Sequence, residues 1–194
     1  MATRHLDLGC GMVPRNPYRR DEVWGIDISP EAVGSLEAVR FANLSLEKIP
    51  FDGDFFDSVS AYDFLEHVPR VLPSASGTTR FPFVELMNEV WRVLSAGGRF
   101  YAVTPGYPRP EAFTDPTHVN PVTRKTHTYF ALPHCGASIY GFKGCFRVVR
   151  VKWIRPKYEF EPHRLTLPQR FRKVRDFIGR QNSHLLWELE AVKR

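Results

Sequence analysis

Apolar and polar positions along the first part of the chain fall into short runs separated by turn residues. His5-Leu6-Asp7-Leu8 stops at Gly9-Cys10-Gly11. Such a run reads as a buried strand ending in a tight turn, where a missing β-carbon lets a ligand approach the backbone. Val23-Trp24-Gly25-Ile26-Asp27 is a second strand-like run, with Ile28 after its acidic end. The stretch between them, Met12 to Asp21, carries Pro14, Pro17, Tyr18 and three arginines, and is too proline-rich to be helical throughout. Ser29-Pro30-Glu31 supplies a cap, a proline at the first helical position and a first-turn acid, so it predicts a helix that returns to a third strand over Val39 to Leu44.

Further on, Phe55 to Ala61 reads as a fourth strand. Phe83, Leu86, Met87, Val90 and Leu94 follow helical spacing, with Gly97-Gly98 expected to end that helix and Arg99 to Thr104 expected as the fifth strand. Phe146 to Ile154 and Leu185 to Val192 read as the last two strands. In a doubly wound α/β sheet the first two strand ends are neighbours. The glycine turn and the Asp27 carboxylate then face one ligand, with ribose hydroxyls as suitable donors to Asp27.

A chain of 194 residues suits one domain, residues 1–194, with a core of its own. No apolar run approaches the ~20 residues of a membrane helix and no secretory leader precedes the first strand, so a cytoplasmic protein is expected. Three cysteines cannot all pair, and Cys10 sits in the glycine turn, which argues against a disulfide framework. Charge is uneven: residues 155–182 hold eight basic and three acidic side chains, +5 of the net +6. The nearly neutral remainder argues against a nucleic-acid surface spread over the whole domain. Within this basic insertion Phe171, Val174, Phe177 and Ile178 fall on one helical face, with Arg170, Arg172, Lys173 and Arg175 elsewhere around it. The plainer reading is a surface helix packed on the domain; the sharper one is a binding element for an anionic acceptor or a membrane surface.

The cofactor class turns on two residues. A dinucleotide fingerprint wants a third glycine where this chain has Pro14, and Asp7, two residues before the first glycine, suits a cationic ligand better than a pyrophosphate. Asp7-Leu8-Gly9-Cys10-Gly11 with Asp27 downstream resembles the S-adenosylmethionine site of class I methyltransferases, of the type-11-like group. Glu89-Val90-Trp91-Arg92-Val93-Leu94 with the two glycines that follow extends the likeness over residues 5 to 105. The resemblance implies a doubly wound, mostly parallel sheet with an antiparallel last strand. It also implies S-adenosyl-L-methionine as cofactor, held by Asp7, Gly9, Cys10, Gly11, Asp27, Ile28, Asn43, Leu44, Tyr62 and Asp63. Near the adenine the family often has an acid, whereas Asn43-Leu44-Ser45 offers neutral groups.

Asp63 and Glu66 are spaced as a capping box, a reading in which Glu66 satisfies backbone amides and does no chemistry. The first strand starts within five residues of Met1, so residues 106–144, after the fifth strand, are expected to form the acceptor site or lid. There His118 is the candidate general base and Asp115, three residues earlier, the group that holds its ring; the plainer reading is that both hold an irregular loop together. His118, His127, His134, Cys135 and Cys145 match no zinc-ligand spacing, so no metal is assigned. The reading is a methyltransferase acting on a small-molecule, glycan or lipid-linked acceptor, anionic in view of the basic segment. RNA or protein methylation, a non-catalytic cofactor-binding module and a nicotinamide oxidoreductase are the competing classes.

Overall fold

A computed structural model describes residues 2–35, 37–156, 166–168, 170, 171, 174 and 182–193. Of the basic helix expected within residues 155–182, Leu167, Pro168, Arg170, Phe171 and Val174 are described and helical, with the apolar-face residues Phe171 and Val174 exposed; the rest of it lies outside the described residues. Among the described residues no helix is long and apolar enough to cross a membrane.

Seven strands form one sheet in the order β3-β2-β1-β4-β7-β9-β8. Their ranges are β1 Arg4–Leu8, β2 Glu22–Asp27, β3 Val39–Phe41, β4 Phe56–Tyr62, β7 Leu94–Pro105, β8 Phe146–Ile154 and β9 His184–Ala191. The first five run parallel; β9 is antiparallel to both β7 and β8. The expected architecture is therefore present. The chain leaves β1 for β2 on one side and returns to β4 on the other, so the strand order reverses at β1 and opens a crevice beyond the carboxyl ends of β1 and β4.

Both faces of β1 are covered, and the polar residues pointing to one of them bond to each other. His5 Nδ1 and Nε2 lie 2.8 Å from Ser58 Oγ and Ser60 Oγ, and Ser60 donates to Asp7 Oδ1 at 2.5 Å. Because the Ser60 proton goes to Asp7, Ser60 accepts from the Nε2–H of His5, which fixes the tautomer. Burial holds His5 down to about 3 and pushes Asp7 up to about 6.

Helix α1, Pro30–Ser35, starts as expected: the Ala32 amide donates to Ser29 Oγ at 3.3 Å. Helix α2, Pro82–Val93, buries Phe83, Leu86, Met87, Val90 and Val93 against the sheet, each large side chain contributing about 1.5–3 kcal/mol. It ends one residue before the expected Leu94 and well before Gly97-Gly98. Leu94 is already extended and pairs with Phe56, while Arg99 pairs with Ser58. The glycines make the bulge that absorbs this change of register, Gly97 at φ +74°. A short hairpin, β5 Leu72–Pro73 with β6 Thr79–Arg80, precedes α2.

Residues 106–144 hold a one-turn helix, α3 Glu111–Thr114, and two 3₁₀ turns, Thr126–Tyr129 and Gly136–Tyr140. Val122, Phe130, Ala131, Ala137 and Phe142 from this segment are buried in the main core. Tyr18, a packing or site candidate, packs: its ring meets Tyr101 edge-on and its hydroxyl donates to Glu188 Oε1 at 2.8 Å.

Candidate functional site

Two clefts lie side by side beyond the carboxyl ends of the parallel strands, and Asp63 and His67 line both. The first, about 270 Å³, is lined by Gly9, Ile26, Asp27, Ile28, Ala42, Asn43, Leu44, Ser45, Asp63, Phe64, His67 and Val68. Its floor is the turn after β1. Gly9 has φ +63° and donates its amide to the Ile26 carbonyl at 2.9 Å. A β-carbon there would stand 2.7 Å from the Phe64 ring, so glycine is required by the conformation and by the packing. Gly11, at φ +58°, donates its amide to Asp27 Oδ2 at 2.8 Å, and the Ser29 amide donates to Asp27 Oδ1 at 2.8 Å. The Asp27 carboxylate thus ties the glycine turn to the start of α1, and each oxygen keeps a lone pair for a ligand hydroxyl. Ile28 is 61% exposed, an apolar side chain left open on the cleft.

Six of the ten expected cofactor residues, Gly9, Asp27, Ile28, Asn43, Leu44 and Asp63, meet at this cleft. The others stand behind it. Asp7 is buried and accepts from Ser60 and from the Arg15 amide at 2.8 Å, anchoring the loop that follows the turn. Cys10 turns its thiol away from the cleft: a β-carbon on Gly25 would lie 2.5 Å from Cys10 Sγ. Burial pushes that thiol up to about 12, so it stays protonated. Gly11 acts through its amide on Asp27, and Tyr62 is buried under the Arg15 guanidinium, 4.6 Å from its ring centroid. Sequence reasoning missed Phe64, His67 and Val68, which reach the cleft because the chain turns back immediately after β4.

The second cavity, about 540 Å³, is lined by Asp63, Glu66, His67, Pro105, Glu111, Thr114, Asp115, Pro116, His118 and His184. Both expected catalytic residues, His118 and Asp115, line it; the His118 amide donates to the Asp115 carbonyl at 3.1 Å, but the Asp115 carboxylate does not hold the His118 ring. Asp115 Oδ1 accepts from the Thr117 amide at 2.8 Å and the Thr117 hydroxyl at 2.6 Å, and these bonds hold its carboxyl below the usual range. The carboxylate facing His118 is Glu66, with Nε2 and Oε1 4.0 Å apart. The loop that carries His118 is clamped to the 3₁₀ turn Leu65–His67: the Val119 and Asn120 amides both donate to the Glu66 carbonyl at 2.9 Å, and Asn120 Nδ2 donates to the Leu65 carbonyl at 2.9 Å.

The capping box is not formed. The turn starts at Leu65 with no side-chain cap, because Asp63 is at φ +48° and its carboxylate lies 3.1 Å from His184 Nε2. Glu66 is buried instead, its Oε2 accepting from Thr104 Oγ1 at 2.8 Å while Oε1 has no hydrogen-bond partner. Burial pushes its carboxyl up to about 8. His184 had no signal in the sequence. It enters as the first residue of β9, opposite Pro105 across the antiparallel pair. The other histidine and cysteine candidates are dispersed: His127 packs on Trp187, and the free thiols of Cys135 and Cys145 face each other at 2.8 Å.

Comparison with known proteins bears on which chemistry this arrangement serves. The methyltransferase domain family matches residues 6–102, half of the chain. No curated protein sequence matches. Among solved structures, a Haloferax volcanii methyltransferase in complex with the Trm112 methyltransferase activator is 16% identical with a TM-score of 0.61, the match covering 99% of this chain and 84% of that one. A SAM-dependent methyltransferase from Archaeoglobus fulgidus is 15% identical with a TM-score of 0.59, covering 97% and 86%. Geranyl diphosphate C-methyltransferase from Streptomyces coelicolor, in complex with Mg²⁺, geranyl diphosphate and S-adenosyl-L-homocysteine, is 15% identical with a TM-score of 0.57, covering 98% and 73%. With the glycine turn, the acid at the end of β2 and the sheet order in agreement, the chain belongs to the methyltransferase domain family of S-adenosylmethionine-dependent enzymes.

Proposed function

We propose that the 270 Å³ cleft holds S-adenosylmethionine and that the 540 Å³ cavity holds the hydroxyl-bearing molecule that is methylated. The observation that carries this reading is the wall the two spaces share, Asp63 and His67, which sets a ligand of one against a ligand of the other. The first cleft fits the cofactor's parts: Leu44, Phe64, Val68 and Ile28 offer an apolar slot for the base, and Asp27 accepts from the ribose hydroxyls. When bound, the cofactor supplies an electrophilic methyl group on a sulfonium. The protein's part is to align the acceptor with that methyl and to exclude water.

On the acceptor side the described lining supplies four carboxyl groups, Asp63, Glu66, Glu111 and Asp115, and three imidazoles, without lysine or arginine. Such a lining repels a bare anion. The proposed acceptor is therefore a small molecule, glycan or lipid headgroup presenting hydroxyls, with His118 and Glu66 as the groups that meet the reacting one. A cytoplasmic setting belongs to the same proposal, supported by three free thiols. The test uses methyl-labelled S-adenosylmethionine with panels of sugars, nucleotide-linked and lipid-linked alcohols, RNA and protein. Label should appear on an alcohol oxygen; label confined to RNA or protein would overturn the acceptor class.

A further inference from the structure

We propose that Glu66, His67 and His118 hold a divalent transition-metal ion in the acceptor cavity, and that the ion's open positions take up acceptor oxygen. A ring nitrogen of each histidine and a carboxylate oxygen of Glu66 lie within 4.8 Å of one another. Donors bound to one ion at 2.0–2.2 Å stand about 3–4 Å apart, so small side-chain rotations close the set. One carboxylate and two imidazoles suit manganese, iron, cobalt or zinc better than magnesium or calcium, and leave positions open.

The surroundings prepare these three residues as ligands. Glu66 is 1% exposed, and with Oε2 fixed by Thr104, its Oε1 is buried without a hydrogen-bond partner, 4.0 Å from His118 Nε2. A polar atom left without a partner at that depth is costly, and a cation that takes the place of any proton on it satisfies it. His67 is set by a relay: the Thr117 hydroxyl spends its proton on Asp115, so at 2.9 Å from His67 Nδ1 it accepts. The ring therefore carries its proton on Nδ1 and leaves the Nε2 lone pair for a metal, the outer-sphere arrangement that orients a ligating histidine. Asp115 becomes a positioning residue for His67.

The ion also gives the cavity a way to hold an oxygen-rich acceptor among carboxylates. An acceptor hydroxyl bound to it loses its proton to water more readily. That oxygen's electron pair then forms the new bond to the methyl carbon as the carbon–sulfur bond breaks, and the departing pair stays on sulfur, leaving a neutral thioether. This inference rests on the proposed acceptor cavity, but its test needs neither cofactor nor acceptor. Tag-free full-length protein is stripped with chelator and titrated with cobalt(II) alone and manganese(II) alone, read by the visible d–d band and by calorimetry. One ion per chain is expected, with magnesium a poor competitor. Glu66→Gln and His118→Gln should each weaken binding by ~10²-fold, while exposed His134→Gln should leave it unchanged. His118→Gln carries the test if Glu66→Gln fails to fold, which circular dichroism reports. Absence of saturable binding, or binding that survives His118→Gln, would overturn the site. If S-adenosylmethionine still stabilises a protein that binds no ion, only this inference falls; loss of that stabilisation would count against the reading of the first cleft.

Discussion

The two clefts are built by different means. The proposed cofactor cleft is made largely by backbone: a glycine turn, two amides on one aspartate and an apolar slot between strand ends. The proposed acceptor cavity is made by side chains that converge from four separate places, the turn after β4, the end of β7, the segment around α3 and the start of β9. Local geometry fixes the first, whereas long-range register fixes the second. Substitutions should therefore separate them.

The largest separation is expected at His118. His118→Ala should lower turnover by ~10²- to 10⁴-fold while the melting-temperature increase caused by S-adenosylmethionine is kept. A parallel loss of cofactor binding would break the comparison. In the other half, Asp27→Ala removes a charged acceptor from two backbone amides and from the ribose, worth about 1.5–3 kcal/mol or roughly 10- to 10²-fold in cofactor affinity. Cobalt(II) titration of the same variant should be unchanged.

A third expectation concerns the pair beneath the turn, Asp7 and His5, joined through Ser60. His5 is held down to about 3 in the folded protein, so between about pH 6.5 and 3 the unfolded chain binds the extra proton and stability falls as pH falls, by up to about 5 kcal/mol. Asp7 is pushed up to about 6, so between about pH 6 and 3.8 the folded protein holds the extra proton, which offsets about 3 kcal/mol of that loss. Acid unfolding of the wild type should be shallow through that window, and Asp7→Asn should steepen it. Urea titrations at several pH values measure this, and identical slopes would show that the two groups do not compensate. The smallest effect is expected at Asn43, whose Oδ1 accepts from the Ser45 amide at 3.1 Å on a half-exposed edge. Asn43→Ala should cost less than about 1 kcal/mol in stability.

The same contrast explains what could be read from the sequence. Gly9, Gly11 and Asp27 announce themselves because a positive φ and a capping carboxylate demand particular residue types at short spacing. The strand order follows from that motif and its successors. The Asp63–Glu66 spacing misled, since a capping box needs Asp63 in an extended conformation and the chain instead turns through φ +48° toward His184. Asp115 lines the same cavity as His118 but does not hold its ring, because three residues of separation say nothing about Thr117 intercepting the carboxylate. Glu66 facing His118 depends on the clamp between two distant backbone segments, and no local pattern encodes it.

The comparison rests on the proposed cofactor cleft, and one measurement addresses it directly. Thermal unfolding of the full-length protein is followed with S-adenosylmethionine, S-adenosylhomocysteine or NAD, each at a hundred times the dissociation constant found for S-adenosylmethionine. A ligand of the native state stabilises by about 2.7 kcal/mol under that condition. The two sulfur nucleosides should raise the melting temperature and NAD should leave it unchanged. Equal stabilisation by NAD, or none by either sulfur nucleoside, would contradict the assignment of the glycine turn and Asp27 to this cofactor.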